Sequence, residues 1–212
     1  MTLPGTLIIA RHHESVWNKE SKWTGTRDVH LTDYGFQKSE EMGGLLKGTR
    51  VDDAFASMQV RSIETLSCIL NALELYHVPT EHVTALNERD YGDYTGKNKW
   101  EMKEMLGEEE FEAMRRNWEY PIPNGETLKM VYERVVPFYE ERIVPLLAEG
   151  KNVLVVSHGN ALRALMIYLE SIPTDKAQEV KMLFGAVVLY QVDEKGKSVS
   201  KEIREAPSEV PA

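Results

Sequence analysis

The chain has 212 residues, 42% of them hydrophobic and 28% charged, and a formal net charge of −9. That length suits one domain with a modest cap and buries a core without staples, and a single cysteine, Cys68, excludes an internal disulfide framework. The acidic balance argues against a broad nucleic-acid surface, no apolar run reaches bilayer length, and the N-terminus lacks the regions of a signal peptide; a cytoplasmic protein engaging neither nucleic acid nor membrane is expected.

Leu7 to Ala10 is a short apolar run that reads as a buried strand. It stops at Arg11, His12, His13 and Glu14. Ionisable residues directly after a buried strand are poor core material, whereas the carboxyl end of a strand in an open α/β sheet is where ligands bind. Residues 16–26 include Trp17 and Trp23 and show no sustained periodicity, which predicts a structured loop with one helical turn. Thr32 is a candidate N-cap for a helix from Asp33 to about Leu46, with Gly48 near its C-cap and Gly43-Gly44 as a close packing contact.

Asp52 to Ser57 predicts a second strand. A helix from Arg61 to about Tyr76 follows, with Ile63, Leu66, Ile69, Leu70 and Leu73 on one side at helical period; Cys68 lies among them as a buried thiol. Arg61 falls in the first turn, where a cation opposes the macrodipole and a bound anion removes the conflict. His82 to Leu86 predicts a third strand. Asn87 to Gly96 is polar, aromatic and glycine-punctuated, the composition of a functional loop. Residues 97–118 read as helix broken at Gly107, and Tyr120 to Gly125 as a turn. Thr127 to about Leu147 reads as a long helix that Pro137 and Pro145 bend or interrupt.

Val153 to Val156 is the clearest strand, and it too runs into a histidine, His158. A helix from Asn160 to about Glu170 follows, with Arg163 in its first turns. Gly185 to Val192 and Ser198 to Arg204 pair as antiparallel strands around a turn at Asp193 to Gly196. Residues 206–212 read as a flexible tail. This alternation means an α/β fold, a mostly parallel but mixed sheet flanked by helices.

His30, His77 and His82 stand alone in polar or turn contexts and read as surface or structural residues. His12 and His158 differ, because two parallel strands ending in histidine present two imidazoles to one crevice. Two chemistries compete for them. One is a metal site of His12, His13, His158 and a carboxylate such as Glu14 or Glu88. There is no His-Glu-x-x-His, however, and Arg11, Arg61 and Arg163 nearby repel a divalent cation. The other is phosphoryl transfer through a phosphohistidine: neutral imidazole is a nucleophile near pH 7, and guanidinium groups hold phosphate oxygens bidentately. The arginine pattern fits the second chemistry and opposes the first. No Gly-x4-Gly-Lys-Ser/Thr phosphate loop is present.

Arg11-His12, Glu14-Ser15, Trp17-Asn18 and Thr24-Gly25 together resemble the opening of the histidine phosphatase superfamily. Leu86-Asn-Glu-Arg-Asp-Tyr-Gly-Asp-Tyr-Thr-Gly-Lys-Asn-Lys99, then Arg115-Arg116, Pro123-Asn-Gly-Glu-Thr127 and Ser157-His-Gly-Asn-Ala-Leu-Arg163, resemble in order the cofactor-dependent phosphoglycerate mutases within it. The likeness runs from Leu7 to about Arg204. It implies a phosphoglycerate mutase-like fold, residues 1–205 forming one domain with residues 88–126 as loop and helical cap.

The same resemblance implies that His12 is the phosphorylated nucleophile, with Arg11, Arg61 and His158 around the phosphoryl group and Asn18 and Gly159 assisting. Glu88 would be the general acid/base. Arg89, Tyr91, Lys99, Arg115 and Arg116 would hold the substrate carboxylate and second phosphate, Asn160 would complete the pocket, and Ser15, Thr24 and Gly25 would line the substrate side. It implies interconversion of 3-phosphoglycerate and 2-phosphoglycerate, 2,3-bisphosphoglycerate as primer, no metal, and a monomer or homodimer acting on a small phosphorylated anion. A phosphatase of the same superfamily, or a weakly active phosphate-binding protein, is the alternative.

Three departures accompany the resemblance. His13 stands where the family has glycine, a residue often kept where a Cβ crowds the backbone. Thr26 replaces a tryptophan, and Phe184-Gly185 replaces Thr-Gly. The span from Arg116 to Gly125 is short.

Overall fold

A computed structural model of the chain describes residues 4–182 and 184–205. Its sheet contains β1 (Thr6–Arg11), β2 (Asp53–Ser57), β3 (Thr80–Val83), β4 (Val153–Ser157), β5 (Ala186–Val192) and β6 (Ser198–Glu205), in the order β3-β2-β4-β1-β5-β6. The first four are mutually parallel; β5 runs antiparallel to β1, and β6 antiparallel to β5. The mixed sheet is the expected one. The expected tail at 206–212 lies outside the described residues.

Alternation along each strand builds the layers. Leu7, Ile9, Phe55, Val153 and Val155 point to one face, against α6 (Leu128–Phe138) and α8 (Gly159–Leu169). Ile8, Ala10, Ala54, Ala56, Leu154 and Val156 point to the other, against α2 (Asp33–Gly44) and α3 (Val60–Ala72). A third, smaller apolar cluster of Trp23, Tyr91, Met102, Phe111, Met114 and Ile122 lies under α4 (Lys99–Leu106) and α5 (Glu108–Arg116). The break between those two helices is Gly107, whose φ of 80° is left-handed.

Local chemistry explains the boundaries. Thr32 caps α2, its hydroxyl accepting from the Gly35 N–H. Gly43 is a close contact, since a Cβ there would lie 2.6 Å from that of Ala72, whereas Gly44 faces open space. The one-turn helix α1 (Val16–Lys19) closes with a reciprocal capping box between Ser15 and Asn18.

Two expected elements are corrected, and in a third the expected interruption is found. The strand predicted over His82–Leu86 ends at Val83, where its neighbour β2 ends at Ser57; with no strand partner among the described residues, Thr84–Leu86 tightens into a 3₁₀ turn. The helix predicted to Tyr76 ends at Ala72, turned off by left-handed Glu74 and a Leu75 N–H bond back to the Leu70 carbonyl. The long helix from Thr127 becomes α6, a π-helical turn at Tyr139–Ile143, and α7 (Val144–Ala148). That turn lies between Pro137 and Pro145, neither of which donates a helical hydrogen bond.

Candidate active site

The register of the sheet assembles the centre. Arg11 pairs with Ser157 across parallel β1 and β4, so the next residue on each strand, His12 and His158, emerges beside the other. Their ring centroids are 4.9 Å apart, with planes inclined by 56°. The His12 N–H donates to the Ser157 carbonyl at 2.9 Å, tying the two strand ends together.

Each imidazole has one nitrogen committed. Nδ1 of His12 donates to the His13 carbonyl, 2.7 Å away, so Nε2 carries the lone pair. Nε2 of His158 lies 2.7 Å from Oγ of Ser57, and that oxygen accepts from the Gln59 N–H. The Ser57 hydroxyl has no other acceptor among the described residues, and its proton given to Nε2 leaves Nδ1 of His158 as a donor. This Nδ1 is buried and without a partner among the described residues. Burial, then the charges of Arg61 and Arg11, hold His12 well below the usual imidazole range; burial and Arg61 lead the same depression in His158.

Two guanidinium groups frame the pair. Arg61, from the first turn of α3, donates to the carbonyls of Gly25 (2.9 Å) and Arg27 (2.8 Å). Its burial lowers its pKa to about 10, and its Nε, like that of Arg11, is buried with no partner among the described residues. Arg11 is layered between the backbone of Gly159 and the ring of Phe184. A Cβ at Gly159 would lie 3.3 Å from the Arg11 Cζ, and that Cζ lies 3.6 Å from the Phe184 centroid. Unspent N–H groups around a neutral imidazole make a ready receptor for a phosphoryl group.

Glu88 is held with equal care. Its Oε1 accepts from the backbone N–H groups of Arg89 (2.8 Å) and Asn160 (3.1 Å), the latter in the first turn of α8. The Gln59 side chain bridges the Glu88 N–H and the Gly25 carbonyl, both at 2.8 Å. Arg134 donates to the carbonyls of Ala85, Asn87 and Glu88 while paired with Glu126. With Oε1 anchored, Oε2 is the oxygen left to carry a proton.

These groups open on a cavity of about 370 Å³. Seven basic side chains line it, Arg11, Arg61, Lys99, Arg115, Arg116, Arg163 and Lys181, against one carboxylate, Glu88. A chain of net charge −9 thus holds a cationic cleft. Lys99 lies 5.3 Å over the Trp23 ring, and burial followed by Arg11 and Arg115 lowers its pKa to about 8. Arg115 and Arg116 share the carboxylate of Glu112. Arg163 spends its nitrogens on the carbonyls of Arg115, Arg116, Ala177 and Val180, bracing the end of α5 against α8.

Of the expected residues, Arg11, His12, Asn18, Thr24, Gly25, Arg61, Glu88, Tyr91, Lys99, Arg115, Arg116, Gly159 and Asn160 line the cavity, and His158 packs against His12. Ser15 and Arg89 lie outside the wall. Ser15 is buried as the cap of α1. Arg89 is wholly buried, donating to the Met114 carbonyl and stacking on Tyr91 at 4.6 Å. Three supports, Ser57, Gln59 and Arg134, escaped the sequence reading. Ser57 ends a strand and Gln59 caps a helix, so their positions carried the signal that singled out His12. The wall at Val180 to Met182 has no periodicity that could have announced it. Among the described residues no group of three or more His, Cys, Asp or Glu side chains is placed to hold a metal ion, and no helix there is long and apolar enough to cross a membrane.

Comparison with known proteins agrees with this geometry. The family model of the histidine phosphatase superfamily (branch 1) matches residues 7–203. The 2,3-bisphosphoglycerate-dependent phosphoglycerate mutase of Cytophaga hutchinsonii is 43% identical over 189 residues, covering 89% of this chain and 88% of that one. That of Parvibaculum lavamentivorans is 38% identical over 203 residues, covering 95% and 97%. The solved structure of Bacillus stearothermophilus YhfR superposes with a TM-score of 0.79 at 26% identity, covering 91% of this chain and 97% of that one. With two imidazoles at adjacent strand ends, an arginine frame and a family match over nearly its whole length, the chain belongs to the histidine phosphatase superfamily, branch 1.

Proposed function

We propose that the chain is a 2,3-bisphosphoglycerate-dependent phosphoglycerate mutase, interconverting 3-phosphoglycerate and 2-phosphoglycerate through a phosphohistidine at His12. The observation that carries this reading is the continuity of one cavity from His12 to Lys99, Arg115 and Arg116. A single phosphoryl group needs no second cationic cluster, whereas a phosphorylated three-carbon acid has a carboxylate and a phosphate to place at once. The relatives named above as mutases support the same reading.

The residues present fit 2,3-bisphosphoglycerate: seven basic side chains face the cavity, and buried nitrogens of Arg11, Arg61 and His158 have no partner among the described residues. That compound supplies the phosphoryl group that primes His12. In transfer, the acceptor hydroxyl oxygen bonds to phosphorus as the Nε2–P bond breaks and its electron pair returns to Nε2. The hydroxyl proton passes to Oε2 of Glu88. Arg11, Arg61 and Nδ1 of His158 hold the equatorial oxygens, where charge gathers. Lys99, Arg115 and Arg116 hold the acid, and Asn160 donates to the Tyr91 hydroxyl at 3.0 Å, steadying that wall. The partner is a small phosphorylated anion, the location cytoplasmic, and the working unit a monomer or homodimer.

The test is conversion of 3-phosphoglycerate by metal-stripped protein, with and without catalytic 2,3-bisphosphoglycerate, following 2-phosphoglycerate and free phosphate together. Bisphosphate-dependent formation of 2-phosphoglycerate is expected. Free phosphate alone would make the chain a phosphatase, and neither product from folded protein would leave a phosphate-binding protein.

A further inference from the structure

His13 and Phe184, two residues the transfer chemistry does not use, meet over the nucleophile. The Phe184 ring lies on Arg11, edge-on to His12 at 6.2 Å between centroids and against His13 at 5.9 Å. His13 is held in turn: its Nδ1 accepts from the Glu14 N–H at 2.8 Å, and its ring meets Tyr34 edge-on at 5.5 Å. The next residue, Gly185, is left-handed, and a Cβ there would lie 3.6 Å from Nε2 of His13. Phe184 lines the cavity, is stacked on Arg11 and is 45% exposed, so its ring stands between Arg11 and solvent. His13 is 9% exposed and stands behind it.

We propose that His13 and Phe184 form an aromatic wall that fixes Arg11 at the phosphoryl site and excludes water from phospho-His12, so that the phosphoryl group passes to the sugar acid instead of being hydrolysed. Transfer and hydrolysis share one step. An oxygen bonds to phosphorus, the Nε2–P bond returns its pair to Nε2, and a proton goes to Glu88. Only the source of the oxygen differs, a bound hydroxyl or water, and access decides between them. A guanidinium stacked on an aromatic face also keeps its planar fork in place, which an unstacked arginine does not. His13 acts through Phe184 and is a positioning residue.

The inference rests on the mutase reading, and its test separates the two. Wild type, Phe184→Ala, Phe184→Trp, His13→Gly and the double variant are primed with 2,3-bisphosphoglycerate. Release of free phosphate from isolated phosphoenzyme is then compared with transfer to 3-phosphoglycerate. The ratio of release to transfer is expected to rise at least about twofold in Phe184→Ala, the lower end of what a lost cation–π contact yields. It should rise less in His13→Gly, return toward wild type in Phe184→Trp, and be no higher in the double variant than in Phe184→Ala, because the two residues act as one unit. A merely structural role lowers both rates and leaves their ratio unmoved. An unchanged ratio in Phe184→Ala overturns this inference alone; a wild-type protein that forms no phosphoenzyme overturns the mutase reading and this inference with it.

Discussion

The hydroxyl of Ser57 lies 2.7 Å from Nε2 of His158, and the same oxygen accepts from the Gln59 N–H. One side chain at the end of β2 therefore selects the tautomer of an imidazole at the end of β4. Ser57→Ala removes that selection and lets the proton of His158 settle on Nε2, turning the wrong nitrogen toward the phosphoryl group. The loss of one such hydrogen bond predicts a fall in kcat of roughly tenfold, with KM little changed. Ser57→Thr, which keeps the hydroxyl, should restore most of it. Steady-state kinetics on the two variants decides the point; an unchanged kcat in Ser57→Ala would show that Ser57 does not select the tautomer.

Glu88→Gln keeps an Oε1 that accepts from the Arg89 and Asn160 N–H groups and removes the oxygen proposed to carry the proton. Turnover should drop by about 10²- to 10⁴-fold, the usual contribution of general acid–base catalysis, while the thermal midpoint stays close to wild type. His12→Ala should abolish the phosphoenzyme together with turnover. Retained phosphorylation in His12→Ala, read by acid-labile phosphate, would assign the nucleophile elsewhere.

Lys99 is expected to set the alkaline limb of the activity. Burial, Arg11 and Arg115 lower its pKa to about 8, so in the free enzyme its charge is present below that pH and lost above it. An anionic substrate needs the charged form, and kcat/KM should fall as pH rises through 8, by up to about tenfold per unit. Lys99→Arg keeps its charge beyond the range and should flatten that limb. A pH profile of kcat/KM for both proteins tests this, and an identical limb in both would assign it to another group.

Gly43 and Gly44 are neighbours in sequence and opposites in packing. A Cβ at Gly43 meets the Ala72 side chain at 2.6 Å and the Ile69 carbonyl at 2.9 Å, whereas at Gly44 it meets nothing within 4 Å. Gly43→Ala should destabilise the protein by roughly 1–3 kcal/mol through overpacking of α2 on α3. Gly44→Ala should stabilise it by up to about 1 kcal/mol through helix propensity. Urea denaturation of the two variants resolves the opposite signs.

The sequence by itself determined the elements whose causes are local. The apolar runs ending in His12 and His158, the cap at Thr32, the break at Gly107 and the two prolines after Thr127 are each written within a few residues, because strand alternation, capping and missing N–H groups act over that range. The cationic character of the site was legible for a similar reason, since Arg11 and Arg61 stand at element ends where burial or the helix dipole disfavours an unpaired cation. Only the tertiary structure decided which polar groups meet. Ser57 reaches His158 from 101 residues away, and Gln59 reaches Gly25 and Glu88 across 34 and 29. The contact of Phe184 with Arg11 joins the end of β1 to the turn before β5. Tertiary structure likewise put Ser15 and Arg89 outside the cavity wall, one as the cap of α1 and the other against the Met114 carbonyl of α5. A hydrogen bond or a stacked ring is a property of pairs, and the partner's position is set by sheet order and register. Neither is encoded in the residues flanking the one that needs the partner.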